Sequence, residues 1–192
     1  MKSIDEARLE SDLGYRYEYL CEFLDFTAAD VARIHGAAPY LGPMIPEMVE
    51  KTYKKLLSYD ATARHFLPRQ AGFNGTTPAN LAELSLDNPQ IQFRREHLLR
   101  YLMQLLGRAY DGKMALYLDM VGKMHTPAAG NKEIDVPLVQ MNALMGVLSD
   151  CLTEVILDLP LEAANRNQTV RSFNKLLWIQ NDLVNRHYAR QA

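Results

Sequence analysis

Cysteine is scarce in this chain. There are two in 192 residues, Cys21 and Cys151, and neither belongs to a Cys-x-x-Cys pair. A disulfide-stapled scaffold is excluded, as is thioether attachment of a cofactor through Cys-x-x-Cys-His. Two free thiols set in apolar helical patterns fit a reducing compartment. An excess of one charge is also lacking: 21 basic side chains face 23 acidic ones, for a net charge of -2. That leaves no electrostatic footprint for nucleic acid and no bulk attraction to anionic lipid. The longest uncharged run, 136–149, falls short of the ~20 residues a spanning helix needs. The first twelve residues, MKSIDEARLESD, have no apolar segment of the kind a signal peptide carries. We therefore expect a cytoplasmic protein that engages neither nucleic acid nor membrane. Alternating β-branched runs are missing as well, which argues against strands.

What is present is helical periodicity. The chain reads as one all-α domain over 1–192, with roughly eight helices and no internal repeat or linker. Residues 1–25 form an N-terminal helical extension, with short helices expected at 4–12 and 16–25. Thr27-Ala28-Ala29-Asp30 is a capping box opening a helix to about position 37. Pro39, Gly42, Pro43 and Pro46 then either kink one helix or separate two. A clear stripe follows over 46–59: Ile45, Met48, Val49, Tyr53, Leu56 and Leu57. A short turn over 60–67 ends at Pro68, 69–77 is a loop, and 78–86 is expected as a short helix. Asn88-Pro89 caps and starts a helix over 89–106. Asp111-Gly112 leads into a helix over 113–125 whose last turn carries His125, stopped by Thr126-Pro127. Long helices are expected at 137–158, apolar on most sides, and at 161–190, striped with Phe173, Leu176, Leu177, Ile179, Leu183, Val184 and Tyr188.

The residues able to do chemistry are few. Zinc-protease His-Glu-x-x-His spacing is absent, and no histidine has a glutamate three residues before it, as a di-iron bundle requires. Nucleophile elbows, phosphate-binding glycine loops and dinucleotide fingerprints are missing. Of five histidines, His35 and His187 have polar neighbours and read as surface. His97 shares a helix side with Arg94, Arg100 and Gln104 and is solvent-facing or at a pocket rim, Arg94, Arg95 and Arg100 read as the wet side of that helix, and His65 is at the surface or a pocket rim. His125 alone ends a helix after an apolar approach: Met114, Leu118, Val121 and Met124. A lone histidine in such a place is more often structural than a ligand. The metal chemistry left open is a site with one strong protein ligand, and haem is of that kind, because the porphyrin supplies four of its iron's bonds.

Four stretches, in order, resemble the protoglobins and the sensor globins. Phe26-Thr27-Ala28-Ala29-Asp30, followed by Lys51-Thr52-Tyr53, is similar to the start of the protoglobin fold. Residues 61–66 resemble the turn that brings a phenylalanine onto the haem. Met120-Val121-Gly122-Lys123-Met124-His125 resembles the stretch ending in the proximal histidine. Leu176-Leu177-Trp178-Ile179-Gln180-Asn181-Asp182-Leu183-Val184, with Tyr188 beyond, is similar to the last helix of sensor globins. The resemblance implies a globin fold, a 3-over-3 helical sandwich, with the extra N-terminal helices. It implies haem b with iron on His125 and reversible binding of oxygen, carbon monoxide or nitric oxide, as a gas sensor rather than an enzyme. Tyr53 would donate a hydrogen bond to the gas, or else be a core tyrosine with its hydroxyl reaching solvent. Phe66 would pack on the porphyrin, Leu98 and Leu99 would wall the distal side, and Val121, Met124 and Val139 the proximal side. No polar residue of the distal helix is expected to point inward, which leaves Tyr53 alone beside the ligand. A homodimer through 137–158 and 161–190 is expected, and a sensor implies an output domain or partner protein. Two alternatives remain: a stand-alone haem protein with peroxidase-like or nitric oxide activity, and a helical interaction module without cofactor.

Overall fold

A computed structural model describes residues 1–188 of the chain; the expected end of the last helix, 189–190, lies outside the described residues. Among those residues there are nine α-helices, four 3-10 turns and no strand. The helices are α1 (Glu6–Ser11), α2 (Leu13–Phe23), α3 (Ala28–Leu41), α4 (Ile45–Leu57), α5 (Asp60–Ala63), α6 (Pro89–Gly107), α7 (Gly112–Lys123), α8 (Leu138–Leu157) and α9 (Ala163–Asn185). α9 packs on α8, α7 and α3; α4 packs on α6 and α8; α3 packs on α6; and α2 packs on α7 and α9, with α1 against α2.

Local chemistry sets most boundaries. The Asp12, Asn88 and Asp111 carboxyl or amide oxygens accept from the first free amides of α2, α6 and α7. At α3 the Thr27 N–H donates to the Asp30 carboxylate at 2.9 Å. The prolines after position 38 resolve as two helices. α3 runs through exposed Pro39, a 3-10 turn spans Gly42–Met44, and Pro46 falls in the first turn of α4, where its missing N–H costs nothing. The helix expected over 78–86 shrinks to one 3-10 turn, Leu81–Glu83, and Leu84 and Leu86 beyond it pack against the core from non-helical backbone. His125 lies two residues past the end of α7 rather than in its last turn. Its N–H closes a tight turn on the Gly122 carbonyl at 3.1 Å, just ahead of the barrier that Pro127 imposes.

The core draws on every long helix. Ile34 and Leu41 of α3, Met48 and Tyr53 of α4, Ile91 and Leu105 of α6, Met114 and Leu118 of α7, Leu152 and Ile156 of α8, and Ile179 and Leu183 of α9 are all buried. α7 approaches α9 so closely that a Cβ on Gly122 would stand 2.6 Å from the Val184 Cα and 2.7 Å from its carbonyl oxygen. Salt links reinforce the far end of that contact. Arg186 reaches Asp119 at 2.8 Å and His187 reaches the same carboxylate at 2.9 Å. The surface reading of His187 is thereby corrected: it is half-buried on a partner 68 residues away, which no neighbour in sequence discloses. His35 is likewise held, with Nε2 2.9 Å from the Arg108 carbonyl and its ring stacked on Tyr110.

Candidate functional site

α7 delivers His125 to the end of a packed helix, and the turn after it fixes the ring. Nδ1 lies 2.7 Å from the Val121 carbonyl, one turn back, so Nδ1 carries the proton and donates. Nε2 is the nitrogen left to accept or to ligate. Burial lowers the imidazole pKa from its ordinary value, aided by the positive charge of Arg94 and opposed by the Val121 bond. The ring is thus neutral at neutral pH, the state a metal requires.

Tyr53 comes from the buried stripe of α4 and is 5% exposed. Its ring lies 5.6 Å from that of Phe66, centroid to centroid, at a 51° tilt. Burial pushes its phenol pKa up, against the pull of Arg94 and Arg95, so the hydroxyl keeps its proton and remains a donor. Phe66 is presented by the 3-10 turn Arg64–Phe66, and that turn is clamped from α6. Gln90, fully buried, donates from Nε2 to the carbonyls of Phe66 (2.8 Å) and Pro68 (3.2 Å) and accepts from the Gln70 N–H (3.0 Å).

Arg94 joins the same neighbourhood. Its Nη2 donates to the Pro68 carbonyl at 2.9 Å, and its guanidinium carbon stands 5.1 Å from the Phe66 ring centroid. The charge acts on both Tyr53 and His125. This corrects the assignment of Arg94 to a wet helix side and the expectation that α6 sends no polar residue inward; Arg100 and His97, on the same side by spacing, are exposed. A long side chain crossing to a loop far away in sequence leaves no trace in the spacing.

The remaining candidates divide. Leu98, Leu99 and Val121 are half-buried and packed against the core. Met124 and Val139 are 44% and 68% exposed, apolar side chains left facing outward beside the His125 segment, whose carbonyl accepts from the Val136 N–H at 2.9 Å. Among the described residues no three His, Cys, Asp or Glu side chains gather to hold a metal ion, and no helix is long and apolar enough to cross a membrane.

The sequence model of the Protoglobin family matches residues 13–192. The chain belongs to the protoglobin family. The match begins at the first residue of α2. In fold the chain is similar to the globin domain of the Geobacter sulfurreducens globin-coupled sensor, with a TM-score of 0.66 over 89% of this chain and 96% of that one. Sequence identity is 17%, so the likeness is one of fold. No curated protein matches the chain. The all-α globin architecture expected from the sequence is therefore the architecture of this protoglobin, extra N-terminal helices included. Two side chains that hold the Phe66–Pro68 turn, Gln90 and Arg94, escaped the sequence reading as site residues. For Gln90 a signal was available: an amide side chain in the first turn of a helix, on the same face as Arg94 four residues on.

Proposed function

We propose that this chain binds haem b through His125 and takes up a diatomic gas, oxygen, carbon monoxide or nitric oxide, as a sensor. The observation that carries the reading is the committed Nδ1 of His125, bonded to Val121 and leaving a neutral Nε2. The orphaned, neutral nitrogen suits ferrous or ferric iron. Phe66, Leu98 and Leu99 would hold one porphyrin face and Val121, Met124 and Val139 the other, which gives the two outward apolar side chains a surface to cover. When bound, haem supplies an iron with one position free for a gas. Tyr53 keeps its proton through burial and supplies the donor to that gas. Gln90 keeps Phe66 in place by capping its carbonyl.

Movement at His125 has a path outward. It is covalently one turn from Gly122, which rests on the Val184 backbone of α9. We place the receiving partner on the outer face of α8 and α9, as a second copy of the chain, with an output domain or separate protein beyond it. A cytoplasmic setting accords with two free thiols.

The test is absorption. Purified protein given hemin should develop a Soret band, and His125→Ala should lose it or bind haem far more weakly. Wild-type protein that folds and shows no Soret band with hemin overturns the reading.

A further inference from the structure

Two outward helix faces carry opposite charge. On α7, Lys113, Leu116, Met120 and Lys123 recur at helical spacing and share one side. Leu116 is 63% exposed and Met120 51%. Among the described residues neither lysine pairs with a carboxylate. The acids nearest them in sequence are engaged elsewhere: Asp111 accepts from the Lys113 and Met114 amides, and Asp119 holds Arg186 and His187. Arg108, exposed just ahead of α7, extends the positive charge, with its guanidinium carbon 4.8 Å from the Tyr117 ring centroid. An apolar ridge among uncompensated cations suits an acidic partner.

α2 offers the complement. Its Leu13, Tyr17, Leu20, Cys21 and Leu24 pack on the core. Its other side carries Glu18 and Glu22, one turn apart, beside Tyr19 and Phe23, also one turn apart. Both glutamates are exposed, Phe23 is 73% exposed, and its ring lies 5.6 Å from that of Tyr19, centroid to centroid. Glu22 is met by Lys2 in a wet pair of little strength, and Glu18 by no cation among the described residues. Within one chain α2 packs on α7, so the acidic and the basic face are carried by neighbouring helices. A two-fold axis can then set each α2 on the other copy's α7 and satisfy both faces at once. An anionic lipid surface would also meet the lysines, but the acidic side of α2 and the net charge of -2 oppose it.

We propose that the acidic, aromatic side of α2 docks on the basic, apolar side of α7 in a second copy of the chain, an interface separate from the outer face of α8 and α9. Neither haem nor the α8 and α9 contact is needed for it. Sedimentation of the wild type at low salt should show one step of assembly, monomer to dimer or dimer to tetramer. Raising salt from about 0.05 M to about 0.5 M should weaken that step roughly tenfold or more. Lys113→Glu with Lys123→Glu should abolish it, and so, separately, should Glu18→Lys with Glu22→Lys. Mixed in equal amounts, the two variants should recover it, because the reversed α7 then meets the reversed α2 while the two unreversed faces meet as before. Phe23→Ser changes no charge and should weaken the step roughly tenfold, as loss of an aromatic anchor does. With the salt dependence, it decides the matter if a charge-reversed variant does not fold. Folded variants that assemble like the wild type overturn the proposal, and so does a mixture that stays apart. Wild-type protein that shows no such step but sediments with phosphatidylserine vesicles also overturns it, since the α7 face would then belong to a lipid surface.

Discussion

At the scale of single residues, the candidate site turns on who holds a proton. Tyr53 keeps its own because burial disfavours the phenolate. Tyr53→Phe should therefore leave haem uptake intact and speed oxygen release roughly tenfold, the worth of about 1.4 kcal/mol of lost hydrogen bond, in a stopped-flow measurement. Carbon monoxide, a weaker acceptor, should respond less. Asp30 shows the opposite case. Burial works against its carboxylate, but the Thr27 N–H, the Ser172 hydroxyl and the Lys175 ammonium outweigh that and bring its pKa from 3.8 to about 2. The folded value lies below the unfolded one, so the contribution is complete above pH 4 or so and is lost as pH falls towards 2. Asp30→Asn should cost about 2 kcal/mol in urea unfolding at pH 6, and the gap from wild type should close near pH 2. Thr27 and Asp30 were readable as a capping box because the partners are three residues apart. Arg94 and His187 were not, because their partners, Pro68 and Asp119, lie 26 and 68 residues away. His125 could be singled out by the apolar approach before it and the Thr126-Pro127 stop after it. Its orientation could not, since that depends on the Val121 carbonyl in three dimensions.

At the scale of elements, the contact between α7 and α9 links the site to the rest of the fold. Gly122 has helical backbone and no conformational need for glycine; what it supplies is space, since any Cβ would press into the Val184 backbone at 2.6 Å. A backbone cannot swing aside as a side chain does, so α7 itself must move. Gly122→Ala should cost roughly 1–3 kcal/mol in thermal or urea unfolding and, by shifting the residues that precede His125, also weaken haem retention. A variant of unchanged stability and unchanged haem affinity would show that α7 rides loosely on α9. Helix existence was legible here wherever a stripe ran three turns or more, as in α4, α6, α8 and α9. The stretch over 78–86 misled because Leu84 and Leu86 reach the core from extended or irregular backbone, and side-chain spacing alone does not distinguish that from a helix. The Pro39–Pro46 region stayed ambiguous for a different reason. A proline permits a kink or a break alike, and only packing of α3 against α6 and α9 and of α4 against α6 and α8 decides between them.

At the scale of the whole molecule, the two last helices pose a problem of coverage. α8 and α9 pack together, and Gln180 of α9 reaches Met145 of α8 while Asn185 reaches Asn142. Their outer face nevertheless leaves Trp178 59% exposed and Leu157 46% exposed, near a cleft of about 120 Å³ lined by Ser149, Thr153, Arg171 and Asn174. A flat aromatic anchor beside a shallow cleft suits a self-complementary interface, in which each copy's indole meets the other's cleft across a two-fold axis. The expectation is a dimer in light scattering at micromolar concentration. Trp178→Glu should shift it to monomer, weakening association by roughly thirtyfold or more, the effect of an interface anchor worth about 2 kcal/mol. Because α7 leans on α9 through Gly122 and Val184, the same interface would lie one helix away from His125, and gas binding should then alter the dimer's dissociation constant. Linkage makes this reciprocal: the monomeric variant should bind carbon monoxide with a per-site affinity changed by the square root of that factor, because each dimer carries two gas sites. Equal affinity in dimer and monomer would leave the interface intact and remove it from the signalling path.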